Sequence, residues 1–195
     1  MTLCTVILAG GKSTRMGRNK ALLTLGMKPI IEHIVSELQP ISDKLVVVAN
    51  EPDDYTFLGV PIVRDRYKNK GPLAGIEAAM YQTEADQYVI AACDMPFIDR
   101  NIYKYLLTEL YDFTAVIPLF DGKVHPLTSI YRREALPHIQ AQLENNDLQV
   151  TRLATHIRIN YVSQFAGVST ERLQRHFFNM NDPSEYERAK TDYTC

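Results

Sequence analysis

The sequence predicts an α/β fold of three layers, in which helices cover both faces of a mostly parallel β-sheet. Short apolar runs, rich in β-branched residues, alternate with longer segments whose apolar residues recur every three or four positions. The short runs lack the polar alternation of a half-exposed strand, which indicates strands that are covered on both faces. At 195 residues, with 46% hydrophobic and 23% charged residues, the chain is long enough to bury such a core.

The first half of the chain predicts three strands and two helices. Residues 5–9 (TVILA) and 45–49 (LVVVA) are nearly all apolar, and residues 61–63 (PIV) form a short third strand. Residues 28–38 repeat isoleucine, valine and leucine at the spacing of one helix face. Residues 72–82 are predicted to be helical, with a proline in the first turn, where proline is favoured.

The second half of the chain continues this alternation. Apolar strands are predicted at residues 88–92, 114–119, 127–131 and 157–162. Helices are predicted at residues 101–110, 133–144 and 183–190, with residues 148–154 as a continuation of the second. Asp182 is the expected N-cap of the last helix, because a short polar side chain there can accept from free amides. No repeat, low-complexity tract or linker interrupts the pattern, so residues 1–195 are predicted to form a single domain.

Composition excludes several classes of protein. The net charge of −2 and the isoelectric point near 6.2 argue against a general nucleic-acid binder, which carries a basic face. Cys4, Cys93 and Cys195 are odd in number and form no CxxC pair, so a disulfide framework or structural zinc site is not expected. No export signal or membrane-spanning run is evident. We expect a cytoplasmic protein with reduced thiols and with neither nucleic acid nor a membrane as a partner.

The most informative segment follows the first strand and reads LAGGKSTRMGRNK over residues 8–20. Gly10 and Gly11 allow a sharp turn that exposes consecutive backbone amides, and such amides form a nest for anions. Four cations then follow within nine residues: Lys12, Arg15, Arg18 and Lys20. A solvated turn with ordinary surface cations is the alternative. The concentration of cations beside two glycines in an acidic chain favours binding of a triphosphate.

Two known phosphate-binding motifs do not describe this loop. A Walker A loop requires a glycine five residues before Gly11, and Val6 stands there. The dinucleotide fingerprint GxGxxG requires a second glycine at the position of Lys12.

A carboxylate follows the strand at residues 88–92, in the segment Cys93-Asp94-Met95-Pro96. Ligands of parallel α/β sheets lie beyond the carboxyl ends of the strands, so Asp94 should emerge at the ligand-binding edge. Mg²⁺ prefers one or two carboxylates together with phosphate oxygens and waters. Asp94 is therefore a candidate Mg²⁺ ligand, and a turn-capping aspartate before proline is the alternative.

These motifs resemble those of a known family. The pattern LAGGxSxRMGxxK is typical of nucleotidylyltransferases with a Rossmann-like, GT-A-like fold, among them sugar-phosphate nucleotidylyltransferases and molybdenum cofactor guanylyl- and cytidylyltransferases. CDMP is similar to the CDxP metal motif of that family, with Asp94 at the matching position. The resemblance implies that Arg15 and Lys20 hold phosphates. It also implies nucleotide contacts for Leu8, Ala9, Gly10 and Gly11.

Further nucleotide-binding candidates lie after the second and third strands and at the start of the second helix. Asn50 and Asp65 can hydrogen-bond to a base or ribose, and Asp65 could accept from N1–H and the exocyclic amine of guanine. Gly71 and Gly75 flank a helix N-terminus and permit close approach of a ligand or another backbone. GPLAG resembles the guanylyltransferase branch more than the cytidylyl branch, which favours GTP. Simple helix caps and a packing glycine are the alternatives.

The resemblance also implies residues on the acceptor side. In the family, an aspartate-glycine pair followed by histidine-proline lies toward the acceptor, which assigns acceptor binding to His125. The segment NMNDP resembles a late NxN motif, which assigns the same role to Asn179 and Asn181. An idle loop histidine and an N-cap run are the alternatives.

The sequence therefore predicts a Mg²⁺-dependent transfer of GMP from GTP to molybdopterin, with release of pyrophosphate. Arg15, Lys20 and Asp94 are the expected catalytic residues. Proteins that deliver the cofactor and chaperones of molybdoenzymes are candidate partners implied by the resemblance. A cytidylyltransferase for the same pterin, a sugar-1-phosphate nucleotidylyltransferase and a non-catalytic nucleotide-binding adaptor are the alternatives.

Overall fold

The computed structural model describes residues 1–10 and 19–194. The strands of this part of the chain are β1 (Leu3–Leu8), β2 (Thr24–Leu25), β3 (Lys28–Pro29), β4 (Lys44–Val48), β5 (Ile62–Val63), β6 (Gln87–Ala92), β7 (Ala115–Phe120), β8 (Lys123–Val124), β9 (Ser129–Arg132) and β10 (Ile159–Val162). The α-helices are α1 (Ile30–Leu38), α2 (Pro72–Gln82), α3 (Arg100–Thr108), α4 (Leu136–Glu144), α5 (Thr170–His176) and α6 (Pro183–Thr194). Short 3-10 helices lie at Lys20–Leu22, Gln39–Ile41, Pro52–Leu58, Arg133–Ala135 and Val150–Thr155.

The main sheet runs in the order β10-β7-β9-β6-β1-β4-β5, and β8 adds a short pairing to β7. β1 pairs in parallel with β4 and β6, β4 with β5, and β7 with β10. β9 runs antiparallel between β6 and β7. The predicted mostly parallel sheet is confirmed, with β9 as the reversed strand.

Helices cover both faces of the sheet, which confirms the predicted three layers. Successive side chains of a strand point to opposite faces. Ile7 of β1 is therefore buried with the apolar faces of α1 and α3, whereas Val6 and Leu8 are buried with α2 and α4. Both faces of β1 are thus apolar, which explains why its sequence shows no polar alternation.

Most predicted elements lie where the patterns placed them, and α2 has the predicted bounds. The continuous helix expected at residues 133–144 is wrong in its first turn, because a 3-10 helix at Arg133–Ala135 precedes α4. The expected continuation at residues 148–154 is a separate 3-10 helix. The hairpin of β2 and β3 was not predicted, because strands of two residues are too short to show a period.

The C-terminal helices differ from expectation mainly in number and length. α5 was not predicted, although Ser169 caps it by accepting from the amide of Arg172. Asp182 is the N-cap of α6, as predicted: its Oδ1 accepts from the amides of Ser184 and Glu185, at 2.8 and 3.0 Å. None of the helices in residues 1–10 and 19–194 has the length and the apolar composition that a membrane crossing requires.

Two of the three cysteines lie in the described part of the chain, and both are free thiols. Burial raises the pKa of Cys4 to about 12 and that of Cys93 to about 12, so both thiols stay protonated near neutral pH. Cys195 lies outside the described residues.

Candidate active site

The carboxyl ends of three adjacent parallel strands bring the predicted site residues together. β1 lies between β4 and β6, and Leu8 at its end is in register with Val48 and with Ala92. Backbone hydrogen bonds continue this register, from the amide of Ala9 to the carbonyl of Val48 and from the amide of Cys93 to the carbonyl of Leu8. The loops that carry the candidate residues therefore leave the sheet side by side at one edge.

One half of the site lies where β1, β4 and β5 end beside α2. We call its residues the pocket wall: Leu8, Gly10, Asn50, Asp65 and Gly75. Nδ2 of Asn50 donates to the carboxylate of Asp65 at 3.2 Å. A Cβ added to Gly10 would lie 3.8 Å from Nδ2 of Asn50. A Cβ added to Gly75 would lie 3.0 Å from Cδ2 of Leu8 and 3.6 Å from Oδ1 of Asp65. Five residues predicted separately to bind the nucleotide are thus brought together.

The carboxylate of Asp65 is suited to accept from the N–H groups of a base. Burial raises its pKa, and the hydrogen bond from Asn50 partly offsets this. A carboxylate that has lost part of its hydration gains more from a new donor than an exposed one does. Asn50 occupies one side of the carboxylate and leaves acceptor capacity on the other oxygen.

Gly71 and Gly75 serve the site in different ways. Gly71 caps α2 with a φ of 69°, a conformation that glycine adopts most readily, and a Cβ there would meet nothing within 4 Å. Its conformation, not a close neighbour, explains the glycine, and its exposed position leaves room for a ligand at the N-terminus of α2. Gly75 is buried and lets α2 approach β1 closely.

The other half of the site carries the charges. Lys20 begins the 3-10 helix Lys20–Leu22, and its Nζ donates to Oδ1 of Asn181 at 3.4 Å. Burial raises the pKa of Asp94, and the positive charge of Lys20 lowers it in part. Asp94 also anchors the C-terminal segment, because its carbonyl accepts from the amide of Met180 at 2.8 Å. A cation, a carboxylate and an amide are therefore grouped beside the pocket wall.

Tyr55 joins the two ends of the glycine-rich basic loop and was not identified from the sequence. Its hydroxyl donates to the carbonyl of Ala9 at 3.3 Å and accepts from Nδ2 of Asn19 at 2.8 Å. The side chain is buried, and burial raises its pKa to about 12, so the hydroxyl keeps its proton. Gly11 and Arg15, which lie between these ends, fall outside the described residues, and their roles stay predictions.

The donor set at Asp94 fits Mg²⁺ only when a triphosphate completes it. No group of three or more His, Cys, Asp or Glu side chains suited to a metal occurs in residues 1–10 and 19–194. Mg²⁺ binds to proteins through one or two carboxylates and takes its remaining ligands from phosphates and water. A single, partly desolvated carboxylate beside a lysine suits this mode of binding, in which the nucleotide brings most of the ligands.

His125 lies on the β7–β9 side of the sheet and contacts aromatic residues. Asp121 and Gly122, the aspartate-glycine pair that precedes His125, form a turn with φ values of 50° and 68° and join β7 to β8. The ring of His125 lies 4.4 Å from the ring of Phe177, and its Nε2 lies 3.4 Å from the carbonyl oxygen of Phe120. Burial lowers the pKa of His125, so the imidazole is neutral near neutral pH.

In the segment from Asn179 to Asp182, one residue caps α6 and another contacts Lys20. Asp182 caps α6, whereas Asn181 faces Lys20. The carboxylate of Glu185 accepts from the backbone amides of Asn181 and Asp182, which completes a capping box at this helix start. Asn179 is half-buried beside them. Capping of α6 therefore also holds Asn181 next to Lys20.

The chain is similar to known proteins over almost its whole length. A family model described as a MobA-like NTP transferase domain matches residues 5–158. A "probable molybdenum cofactor guanylyltransferase" from Carboxydothermus hydrogenoformans is 39% identical over 188 residues, which cover 95% of this chain and 94% of that protein. A protein of the same description from Clostridium perfringens is 32% identical, with 93% and 92% covered.

A solved structure shares the fold. The crystal structure of molybdopterin-guanine dinucleotide biosynthesis protein A from Archaeoglobus fulgidus superimposes with a TM-score of 0.81 at 24% sequence identity. The match covers 98% of each chain. The arrangement of layers and strands described above is therefore one already observed in a crystal.

Proposed function

Because the chain belongs to the MobA-like NTP transferase family, we propose that it is a molybdenum cofactor guanylyltransferase. It transfers GMP from GTP to molybdopterin, so that molybdopterin guanine dinucleotide and pyrophosphate are formed. The observation that carries this proposal is the meeting of Asn50, Asp65 and Gly75 with Lys20 and Asp94 at one edge of the sheet.

The pocket wall selects the base. Asp65 accepts from N1–H and the exocyclic amine of guanine, a pair of donors that adenine and cytosine do not present in that arrangement. Leu8, Ala9 and Gly10 contact the base at the end of β1. Gly75 lets α2 pack close to β1 and adds no side chain where the base binds. When the wrong base is bound, buried polar groups of the site are left without hydrogen-bond partners. Such a site discriminates strongly between bases.

Catalysis rests on positioning and on charge. A phosphate oxygen of the acceptor forms a bond to the α-phosphorus of GTP, and the bond from that phosphorus to the pyrophosphate oxygen breaks, with the electron pair leaving on pyrophosphate. Lys20 and Arg15 neutralise the phosphates, so that the negative acceptor can approach. Asp94 would hold Mg²⁺ together with the phosphate oxygens of GTP, and the metal would supply positive charge to the pyrophosphate leaving group.

The acceptor occupies the side of the site where the C-terminal segment meets β7 and β9. Asn179 and Asn181 bind its polar groups, and His125 contacts it as a neutral imidazole next to Phe177. The delivery proteins, the molybdoenzyme chaperones and a cytoplasmic location stay predictions.

We also propose that residues 1–195 act as a single nucleotidylyltransferase domain. Ala189 of α6 and Met180 belong to the same buried cluster as Ile7 of β1, so the C-terminal segment packs on the sheet that carries the site.

A direct transfer assay tests the function. The purified protein is incubated with Mg²⁺, molybdopterin and GTP, and pyrophosphate release and the dinucleotide product are measured by a coupled assay and by mass spectrometry. We expect product with GTP and at least about tenfold less with CTP. Equal use of CTP would indicate a cytidylyltransferase. Product only with a sugar 1-phosphate, or nucleotide binding without any turnover, would reject the proposal.

A further inference from the structure

Two side chains of α2 hold the residues on either side of Asp65. Nε2 of Gln82 donates to the carbonyl of Arg64 at 3.2 Å. Nη1 of Arg66 donates to Oε1 of Glu77 at 2.6 Å. Asp65 therefore lies between two anchors that belong to the same helix, and that helix also contributes Gly75 to the pocket wall.

The ion pair at Glu77 is unusual because its carboxylate is buried. Glu77 is completely buried in α2, and Nε2 of Gln140 donates to the same Oε1 at 2.9 Å. Its other oxygen, Oε2, has no hydrogen-bond partner in the described part of the chain. Cζ of Arg66 also lies over the ring of Tyr81, 3.4 Å from its centroid. The arginine is thus held by both an ion pair and an aromatic contact.

Stability alone does not explain a buried carboxylate at this place. Removing a carboxylate from water is unfavourable, and apolar residues of similar size usually stabilise a core as well as a buried ion pair does. A planar guanidinium between a carboxylate and an aromatic ring does fix the geometry of the backbone that carries it. Together with the bond from Gln82, the pair places a contact to α2 on each side of Asp65.

We infer that Arg66 and Glu77 are positioning residues that set the preference of the site for guanine by aligning Asp65. The inference rests on the proposed function, because it takes Asp65 as the acceptor for the base. Two hydrogen bonds to one base edge form well only when the carboxylate is aligned to within about 0.5 Å. An Asp65 free to shift along β5 and the loop after it would keep its charge but lose this alignment.

The test removes both partners of the ion pair together. Replacing Arg66 alone would leave a buried, unpaired charge on Glu77 and could unfold the protein. The double variant Arg66→Met/Glu77→Met keeps the length of the side chain at residue 77, places a shorter unbranched side chain at residue 66 and leaves no such charge. Gln82→Ala removes the second anchor at an exposed position. The matched control is Arg133→Met, because Arg133 also binds α2, donating to the carbonyl of Met80, and its other side-chain partner is the hydroxyl of Tyr88 in β6, not a residue next to Asp65.

The readout is base discrimination in binding, measured by calorimetry with GTP and with ITP, which lacks the exocyclic amine. We expect the double variant to bind GTP about tenfold more weakly, with the ratio of ITP to GTP dissociation constants close to one. Gln82→Ala should lower the ratio part of the way, and Arg133→Met should keep the wild-type ratio. A double variant that melts at a lower temperature but keeps the wild-type ratio would overturn the inference, since a merely structural role predicts that result.

Failure of this inference can be told apart from failure of the proposed function. A wild-type protein that prefers GTP to ITP but transfers no GMP to molybdopterin would reject the function and leave the positioning role intact. A wild-type protein that transfers GMP, with a double variant that still discriminates between GTP and ITP, would reject the positioning role alone.

Discussion

Nζ of Lys20 donates a hydrogen bond to Oδ1 of Asn181 at 3.4 Å, across 161 positions of sequence. Asn181 is itself held by Glu185, whose carboxylate accepts from its backbone amide. Lys20 also lowers the pKa of Asp94 against the effect of burial. This contact joins Lys20, which we assign to the triphosphate, to the C-terminal segment that we assign to the acceptor.

Replacing Asn181 by alanine should affect the acceptor more than GTP. The change removes one hydrogen-bonding side chain while the backbone amide still binds Glu185. We expect KM for molybdopterin to rise by about tenfold, as for one lost hydrogen bond, and the dissociation constant of GTP to change by less than about twofold. Steady-state kinetics and calorimetry measure the two values. Asn145→Ala, at an exposed position, is the control, and an equal loss of GTP affinity in N181A would contradict the assignment.

Replacing Asp94 by asparagine should abolish turnover without weakening the fold. Burial raises the pKa of Asp94, which means that the folded protein disfavours the charged form, so removal of the charge leaves stability unchanged or higher. We expect kcat to fall by about 100-fold or more at saturating Mg²⁺, with the same or a higher melting temperature. Asp53→Asn, at an exposed acid, is the control. Near-normal turnover of D94N across a Mg²⁺ titration would exclude Asp94 as the ligand.

Replacing Gly75 by alanine should narrow the base pocket. The new Cβ would lie 3.0 Å from Cδ2 of Leu8, so the leucine or α2 must shift. Alanine stabilises a helix by about 1 kcal/mol relative to glycine. Weaker GTP binding by this variant would therefore not result from a less stable α2. We expect the dissociation constant of GTP to rise by about five- to tenfold, because overpacking of this size costs about 1 kcal/mol.

The companion variant for Gly75→Ala is Leu8→Val, which removes the crowding methyl group. G75A/L8V should recover part of the lost GTP affinity relative to G75A. If the double variant binds no better than G75A, the contact with Leu8 is not the cause of the loss.

His176 should make the fold sensitive to acid. It is completely buried, its Nδ1 accepts from the amide of Asp99 at 2.9 Å, and its Nε2 has no partner in the described part of the chain. Burial lowers its pKa to about 3, so between that value and about 6.5 the unfolded chain binds a proton that the folded protein does not. The free energy of unfolding therefore falls with decreasing pH in this window, by up to about 1.4 kcal/mol per pH unit.

Urea denaturation at pH 7, 6 and 5 measures this slope. His176→Asn should flatten it, since the amide oxygen of asparagine takes the place of Nδ1, can still accept from Asp99 and carries no titrating group. Part of the slope should remain, because burial also lowers the pKa of His125. His138→Asn, at an exposed position, should keep the wild-type slope, and an unchanged slope in H176N would contradict the prediction.

Most of the fold was predictable because hydrophobic periodicity reports burial directly. β1 and α2 show the continuous apolar and helical patterns that buried elements require. The reversed direction of β9 was not predictable, since an apolar run looks the same in either direction. The hairpin of β2 and β3 and the 3-10 helix before α4 were also missed, because each involves too few residues to show a period.

The candidate site was predictable where residues follow a strand or belong to a local motif. Lys20, Asn50, Asp65 and Asp94 were identified in this way, and the structure groups them at one edge of the sheet. Tyr55 and Glu77 carry no such signal. Each matters only through partners that lie 11 to 63 positions away in the sequence.

The sequence by itself determined the layered α/β class, and it predicted a triphosphate-binding loop and a metal-binding carboxylate, because these depend on local spacing and on residue chemistry. Tertiary structure alone decided which side chains meet: that Asn50 binds Asp65, that α2 holds the residues on both sides of that carboxylate, and that Asn181 reaches Lys20. The physical reason is that a hydrogen bond requires two groups about 3 Å apart. Strand order and helix packing set that distance for residues far apart in the chain, and no local pattern records it.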